Sequence, residues 1–273
     1  MQEETAFPLL TSVDNRGVGQ LTLNCPQKHN AFNDEMIVLL TEAIQKFNSD
    51  PKVKLIVLKS NGKNFSAGAD LAWMRNMAKF SEAENHRDAL ALGNMMHALY
   101  TSSKPILGQV QGMAFGGGVG LVACCAIVIA SRDASFCFSE VKLGLIPAVI
   151  SPYIIQAIGY RWAHYYFLTA QSFTADTAHT LGLCHHVVDK ADLEATTQKQ
   201  IDLLLQNGPQ ALSSVNRALN HLQPLPITLE TIDYTAKLIA KIRVSPEGQE
   251  GLNAFLEKRP PNWIEEKSKK DSV

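Results

Sequence analysis

The sequence predicts an α/β fold with parallel strand pairing, followed by a mostly helical region. Strand-like and helix-like segments alternate up to about residue 140, and helical patterns dominate beyond residue 150. The chain has 273 residues, of which 46% are hydrophobic and 19% are charged, so it holds enough apolar material for a large core. We therefore expect a core domain over residues 1–200 and a helical region over residues 201–273.

The individual elements follow from the spacing of apolar residues along the chain. Alternating apolar and polar residues predict a strand over 18–23, and apolar residues at helical spacing predict a helix over 33–47. A buried strand over 54–58 ends at the turn-forming Ser60-Asn61-Gly62. The next predicted elements are helices over 71–79 and 81–101, a strand over 105–110, a helix over 117–125, strands over 127–130 and 134–138, and helices over 173–182 and 193–205.

The most informative stretch is 110–120, where the triplet Gly116-Gly117-Gly118 separates two apolar runs. Glycine has no Cβ, so the triplet lets the backbone approach another group closely. At the start of a helix, such a loop points unpaired N–H groups toward an anion or a developing negative charge. Close packing of a helix on a sheet, with no ligand, would also account for the triplet.

Composition and charge exclude several classes of protein. The net charge of −1 and the pI near 6.7 argue against a nucleic-acid-binding protein. Segment 113–130 is uncharged, but its early glycines and β-branched end predict a loop, a buried helix and a strand instead of a membrane span. The five cysteines form no Cys-x-x-Cys pair and the histidines lack ligand spacing, so we expect no disulfide framework and no metal. No targeting signal follows Met1, and we expect a cytoplasmic location.

Three segments carry residues suited to one chemical task. They are the glycine-containing turn 65–71, the glycine triplet, and segment 139–147, in which Glu140 stands among apolar neighbours. Two backbone donors and one carboxylate in an apolar pocket could polarise a carbonyl group, stabilise the resulting enolate and move a proton at the α-carbon. Apolar surroundings raise the pKa of a carboxyl group toward neutrality, where proton transfer is efficient.

The same segments support a family resemblance. They are Ala67-Gly68-Ala69-Asp70, Gly112 with the triplet, Glu140 with Gly144-Leu145-Ile146-Pro147, and Asn30-Ala31-Phe32 after Pro26. In this order they resemble the signature segments of the crotonase (enoyl-CoA hydratase/isomerase) superfamily. The similarity extends from about residue 18 to Trp263. It implies a crotonase-type spiral of ββα units and C-terminal helices that build a trimer or a dimer of trimers.

The resemblance also implies roles for individual residues. The backbone N–H groups of Ala69 and Gly117 would form an oxyanion hole, and Glu140 would be the catalytic carboxylate. The residues implied in binding an acyl-CoA thioester are Lys28, Ala67, Asp70, Leu71, Gly116, Gly120, Phe255 and Lys258. Arg259 beside Lys258 resembles part of the family's cationic tail, which touches the nucleotide phosphates. Coenzyme A would be part of the substrate, with no separate cofactor.

This chain departs from the family pattern at Gly120, where hydratases usually carry a second glutamate. The departure leaves two hypotheses open: a Δ3-Δ2 enoyl-CoA isomerase with one glutamate, or a hydratase in which Glu140 acts alone. The missing side chain at Gly120 would also enlarge the acyl pocket. Finer similarity over 115–125, 139–152 and 243–251 to bacterial methylglutaconyl-CoA hydratases favours hydration of 3-methylglutaconyl-CoA in leucine and isovalerate breakdown.

Three other classes compete with these hypotheses. Gly118-Val119-Gly120 followed by Glu140 fits the dinucleotide-binding pattern and would indicate a dehydrogenase. A serine hydrolase would use Ser139, but no Gly-x-Ser-x-Gly elbow and no obvious histidine partner accompany it. A non-catalytic acyl-CoA-binding scaffold would explain the loss of one family glutamate.

Overall fold

The computed structural model describes residues 7–222 and 225–264 of the chain. They form two compact units, and the boundary lies between Gln198 and Lys199. The boundary predicted from the sequence lies two residues later, between residues 200 and 201. In this part of the chain, no helix has both the length and the apolar character needed to cross a membrane.

Strands of the first unit form two sheets. They are β1 (Leu9–Val13), β2 (Val18–Leu23), β3 (Leu55–Ser60), β4 (Ile106–Val110), β5 (Met113–Phe115), β6 (Ile127–Ser131), β7 (Ser135–Cys137), β8 (Phe173–Thr174) and β9 (His186–Val188). Within the described residues, the larger sheet has six strands in the order β1-β2-β3-β4-β6-β9. Its neighbours are parallel except for the antiparallel pair β1 and β2, which confirms the predicted parallel core.

The smaller sheet brings together the segments that carry the candidate site. Its strand order is β5-β7-β8, and β5 pairs with β7 in parallel. Two isolated parallel bridges, Ser66 with Ala114 and Phe32 with Ala69, continue the same kind of pairing. Successive passes of the chain thus add one strand to the larger sheet and one short extended segment beside it. This is the predicted repetition of ββα units.

Helices follow the strands of the first unit. They are α1 (Asp34–Ser49), α2 (Leu71–Met77), α3 (Glu82–Tyr100), α4 (Gly117–Ala123), α5 (Ser151–Ile158), α6 (Tyr160–Thr169), α7 (Ala175–Leu181) and α8 (Leu193–Leu205), and the unit boundary falls within α8. The predicted helix over 173–182 begins too early. Phe173 and Thr174 pair with β7, and the Thr174 side chain caps α7 by accepting a bond from the Thr177 N–H.

The second unit also contains α9 (Pro209–Leu222), α10 (Leu229–Arg243) and α11 (Pro246–Leu256). The Glu247 carboxylate accepts bonds from the N–H groups of Gln210 and Ala211 at 2.9 and 2.7 Å, so the first turn of α11 caps the start of α9. This helical region agrees with the predicted helical C-terminal part. Its assembly into a trimer remains a prediction.

Candidate active site

The backbone N–H of Ala69 lies in the turn before α2. The Phe32 N–H donates to the Gly68 carbonyl at 2.8 Å, and the Asp70 N–H donates to the Phe32 carbonyl at 3.0 Å. This parallel bridge uses the groups on either side of Ala69 and points the Ala69 N–H the other way. Within the described residues, the Ala69 N–H has no acceptor.

A second unpaired N–H belongs to Gly117, the first residue of α4. The first N–H groups of a helix have no partner within it, and none of the described residues supplies an acceptor for Gly117. Gly68 has a φ of +84°, and a Cβ there would lie 2.7 Å from the Phe115 carbonyl oxygen and 3.4 Å from the Gly117 nitrogen. Only glycine fits at position 68, because the turn that carries Ala69 packs closely there against the loop that carries Gly117.

Glu140 completes this group of residues. It begins a short 3-10 helix over Glu140–Leu143, and its carbonyl accepts a bond from the Leu145 N–H at 3.0 Å. A Cβ added to Gly116 would come within 3.0 Å of Glu140 Oε1, so the carboxylate lies against the glycine triplet. Its Oε2 atom is buried and has no partner among the described residues. Burial raises the pKa of the Glu140 carboxyl above its ordinary value.

Ser66 joins the segments that carry the two amides. Its hydroxyl donates to the Asn30 carbonyl at 2.8 Å and accepts a bond from the Gly68 N–H at 3.2 Å. Its backbone pairs with β5: the Phe115 N–H donates to the Ser66 carbonyl at 2.9 Å. The side chain is fully buried, so water cannot replace these partners.

Substituting Ser66 with Ala is therefore expected to lower the free energy of unfolding by about 1–3 kcal/mol, because it leaves two buried polar groups without partners. Denaturant unfolding measures the change. Ser49→Ala is the control, because the Ser49 hydroxyl also donates to a backbone carbonyl but is exposed. Equal stabilities of the two variants would contradict this role of Ser66.

Lys28 and Asp70 bind each other at the start of α2. Lys28 Nζ lies 3.1 Å from Asp70 Oδ2, and Asp70 Oδ1 accepts bonds from the Ala72 and Trp73 N–H groups at 2.8 and 3.1 Å. The Trp73 bond, followed by Lys28, lowers the pKa of the Asp70 carboxyl. A cavity of about 280 Å³ adjoins this ion pair. Asp70 is thus a helix cap, and Lys28 keeps 57% of its side chain exposed.

The other sequence-predicted binding residues of the first unit lie close to these groups. The Ala67 N–H donates to the His29 carbonyl at 2.9 Å, and Leu71, of which the structure describes the backbone, begins α2. Gly116, with a φ of +50°, precedes α4 and donates its N–H to the Cys137 carbonyl at 2.8 Å. The structure therefore brings these residues to the same two loops.

Gly120 is different, and the prediction that its missing side chain enlarges the acyl pocket is wrong. A Cβ at Gly120 would overlap Ile150 Cγ2 and come within 3.0 Å of Met96 Cε. These two buried side chains fill the space that a residue larger than glycine would occupy. Gly118 and Gly120 also lie inside α4, whereas a dinucleotide site needs its first glycine in the turn before the helix.

Phe255 and Lys258 belong to the second unit. Phe255, on α11, is 81% exposed, and Lys258 follows the helix with a φ of +56°. The neighbouring Arg259 guanidinium binds Glu250 through two bonds of 2.7 and 3.0 Å and Glu257 through one of 2.7 Å. Arg259 thus has carboxylate partners within its own unit. Roles in coenzyme A binding remain predictions for Phe255 and Lys258.

Metal ligation has no visible basis in this site. Over residues 7–222 and 225–264, no group of three or more His, Cys, Asp or Glu side chains could hold a metal ion. That the protein uses no separate cofactor stays a prediction from the sequence.

Comparison with known proteins identifies the family. The chain matches the enoyl-CoA hydratase/isomerase family over residues 14–267, and it therefore belongs to this family and has the crotonase fold. A crystal structure of an enoyl-CoA hydratase from Shewanella pealeana is 48% identical, with a TM-score of 0.91 over 94% of this chain and 96% of that chain. The enoyl-CoA hydratase of Mycobacterium smegmatis is 31% identical, with a TM-score of 0.88 over 94% and 98%.

A curated relative extends the comparison to a named substrate. The crotonyl-CoA hydratase of Syntrophomonas wolfei is 32% identical over 247 residues, which cover 89% of this chain and 93% of the relative. The similarity therefore covers nearly the whole length of both proteins. The family resemblance seen in the signature segments is confirmed.

Proposed function

We propose that this protein adds water across the double bond of an enoyl-CoA thioester. The proposal depends on two amides, those of Ala69 and Gly117, and on the buried Oε2 of Glu140, none of which has a hydrogen-bond partner among the described residues. Close contacts at Gly68 and Gly116 hold the three segments that carry these groups together. Unpaired amides in a glycine-rich turn suit a developing oxyanion, and a carboxylate with a raised pKa suits proton transfer. Family membership supplies the acyl-CoA substrate class.

In this mechanism the thioester oxygen accepts hydrogen bonds from the Ala69 and Gly117 N–H groups. Attack of water on the β-carbon moves electron density onto that oxygen and forms an enolate. The amides stabilise the enolate more strongly than the starting thioester, and loss of one such donor costs about 10²–10³ in rate. Because both donors are backbone groups fixed by the fold, they need no reorganisation during the reaction.

Glu140 handles both proton transfers. Its carboxylate takes a proton from water while the water oxygen bonds to the β-carbon, and the carboxylic acid then gives that proton to the α-carbon. One water molecule thus supplies the hydroxyl group and the added hydrogen, and Glu140 returns to its starting state. Ile150 and Met96 occupy the space at Gly120, so no second carboxylate shares this work there.

A Δ3-Δ2 enoyl-CoA isomerase is the second candidate. The single carboxylate favours it, because double-bond migration needs only one base that moves a proton between C2 and C4. The same two amides would stabilise the same enolate. The products distinguish the two reactions, because hydration raises the mass of the substrate by one water and isomerisation leaves that mass unchanged.

For the substrate, we propose 3-methylglutaconyl-CoA, which hydration converts to 3-hydroxy-3-methylglutaryl-CoA in cytoplasmic leucine and isovalerate breakdown. Support comes from the similarity of segments 115–125, 139–152 and 243–251 to methylglutaconyl-CoA hydratases. Coenzyme A enters as part of the substrate, and the proposed enzyme needs no further cofactor.

The proposed active form is a trimer or a dimer of trimers. Exposed apolar side chains on the C-terminal helices support this assembly: Leu219 on α9 is 62% exposed, and on α10 Leu229 is 85% and Ile232 is 54% exposed. Exposed apolar residues of this size favour contact with another protein surface. Sedimentation velocity of the purified protein would measure the assembly state directly.

Incubation with 3-methylglutaconyl-CoA, crotonyl-CoA and a 3-enoyl-CoA, followed by mass spectrometry, tests the reaction. Gain of one water by the methylglutaconyl thioester supports the proposed substrate, and gain by crotonyl-CoA alone supports a hydratase of different specificity. Migration of the double bond without a gain in mass indicates the isomerase. Binding of all three without turnover would overturn the enzymatic proposal.

The raised pKa of Glu140 also predicts a dependence of stability on pH. A carboxyl group with a raised pKa in the folded state stabilises the fold below its unfolded pKa of about 4.3, and this contribution is lost as pH rises through the folded pKa. Glu140→Gln cannot ionise, so its melting temperature relative to wild type should increase from pH 4 toward pH 8. A difference that stays constant across this series would contradict burial of the charge.

A further inference from the structure

We infer that Phe32 is the residue that sets the separation between the two amide donors. It contacts both donor loops at once, through its backbone on one side and its ring on the other. The inference rests on the proposed function, because the separation matters only if both amides bind one thioester oxygen. Phe32 would then be a positioning residue, since no part of it donates to the substrate.

The backbone of Phe32 fixes the Ala69 amide. Its N–H donates to the Gly68 carbonyl at 2.8 Å, and its carbonyl accepts the Asp70 N–H at 3.0 Å. These bonds hold the peptide groups immediately before and after Ala69. The direction of the Ala69 N–H therefore follows the position of Phe32.

The ring of Phe32 meets the other donor residue, Gly117. A Cβ at Gly117 would overlap the Cζ atom of this ring and would lie 3.2 and 3.4 Å from Cε2 and Cε1. The far end of the ring thus occupies the space beside Gly117 in which other residues carry a side chain. Phe32 is 1% exposed, so the surrounding core holds the ring in place.

These contacts make Phe32 a rigid spacer across the site. An aromatic ring has few rotamers, and a packed interior lets it move little. A shorter side chain would leave the Gly117 loop free to shift toward Phe32. A displacement near 1 Å can cost about 10²-fold in rate, because hydrogen bonds to the transition state depend on exact geometry.

Phe32→Leu is therefore expected to lower kcat by about 10- to 100-fold with little change in KM. Phe47→Leu is the matched control. Phe47, on the buried side of α1, is 4% exposed and, like Phe32, lies against a glycine: a Cβ at Gly19 of β2 would lie 2.9 Å from Phe47 Cδ2. The control removes the same ring from the same core without touching either donor loop.

The direct readout is the carbonyl stretching frequency of bound butyryl-CoA labelled with ¹³C at the thioester carbon. This saturated thioester cannot be hydrated, and its carbonyl frequency falls as hydrogen bonds to the oxygen strengthen. We expect a low frequency in wild type and in Phe47→Leu, and a frequency closer to that of free thioester in Phe32→Leu. A role limited to stability would lower the melting temperatures of both variants and leave the frequency unchanged.

A compensating pair gives an independent test. Gly117→Ala places a methyl group against the Phe32 ring, so we expect at least a 10-fold loss in kcat/KM. Gly117→Ala combined with Phe32→Leu has room for this methyl group and should regain part of that loss. Purely additive losses in the double variant would overturn the inference.

The outcomes also separate this inference from the proposed function. If wild type turns over enoyl-CoA and lowers the carbonyl frequency, but Phe32→Leu matches Phe47→Leu in kcat and frequency, the role of Phe32 is wrong and the proposed function stands. If wild type does neither, the proposed function itself is wrong. Should Phe32→Leu not fold, Phe32→Met and Phe47→Met make the same comparison with a smaller loss of volume.

Discussion

Substituting Glu140 with Gln is expected to lower the rate of hydration by about 10²–10⁴-fold. Glutamine keeps the size of the side chain but can neither take a proton from water nor return one to the α-carbon. No second carboxylate can substitute at position 120, because Ile150 and Met96 fill that space. The loss should therefore fall on kcat, since the amides of Ala69 and Gly117 still hold the thioester.

The same substitution should raise the free energy of unfolding at pH 7. Glu140 Oε2 is buried and finds no partner in the part of the chain that the structure describes. Burial raises the pKa of the carboxyl, so the ionised form is disfavoured in the folded protein. A neutral amide removes this cost. Loss of activity together with a gain in stability distinguishes a functional carboxylate from a structural one.

Steady-state hydration kinetics and thermal unfolding of the same preparations measure both effects. Glu42→Gln is the control, because Glu42 is an exposed glutamate on α1 and should change neither quantity. Full hydratase activity of Glu140→Gln would show that another group performs the proton transfers. A lower melting temperature at pH 7 would show that the charge of Glu140 has a stabilising partner.

Substituting Gly120 with Glu, which restores the usual family residue, is expected to destabilise the protein instead of improving catalysis. The new Cβ would overlap Ile150 Cγ2 and lie 3.0 Å from Met96 Cε. Overpacking of this kind costs about 1–3 kcal/mol, and a carboxylate forced among apolar groups adds to that cost. For a domain of this size we expect the melting temperature to fall by several degrees, at about 2–4 °C per kcal/mol.

Two further variants separate the causes of that loss. Gly120→Ala adds the Cβ alone; helix propensity favours alanine by about 1 kcal/mol, so a lower stability would show that the overlap outweighs propensity. Gly120→Glu with Ile150→Ala removes the overlapping side chain and should recover part of the stability lost in Gly120→Glu. A Gly120→Glu variant with wild-type stability would contradict the filled space.

Much of the secondary structure follows from local sequence. The helix predicted over 33–47 is observed as α1, because Asn33 caps it: its side chain accepts a bond from the Met36 N–H at 3.1 Å. The helix predicted over 193–205 matches α8 at both ends. Apolar periodicity and capping act over a few residues, so one segment contains the whole signal.

The strands that the sequence did not predict depend on pairing with distant parts of the chain. Strand β5 has three residues and owes its form to pairing with β7 and with Ser66, far along the chain. Strand β1 lies at the edge of the larger sheet, and four of its five residues are exposed, so no buried pattern marks it. Phe173 and Thr174 look helical locally, but their pairing with β7 takes precedence.

In the candidate site, too, some residues are predictable from local motifs and others only from long-range contacts. Glycine spacing and family signature segments were enough to propose Ala69, Gly117 and Glu140, because each stands in a short motif with its own chemistry. The roles of Phe32, Ser66, Met96 and Ile150 come from contacts between residues far apart in sequence. Periodicity carries no information about which distant side chain fills the space beside a glycine. Close packing of the folded chain placed Ile150 at Gly120 and the Phe32 ring at Gly117.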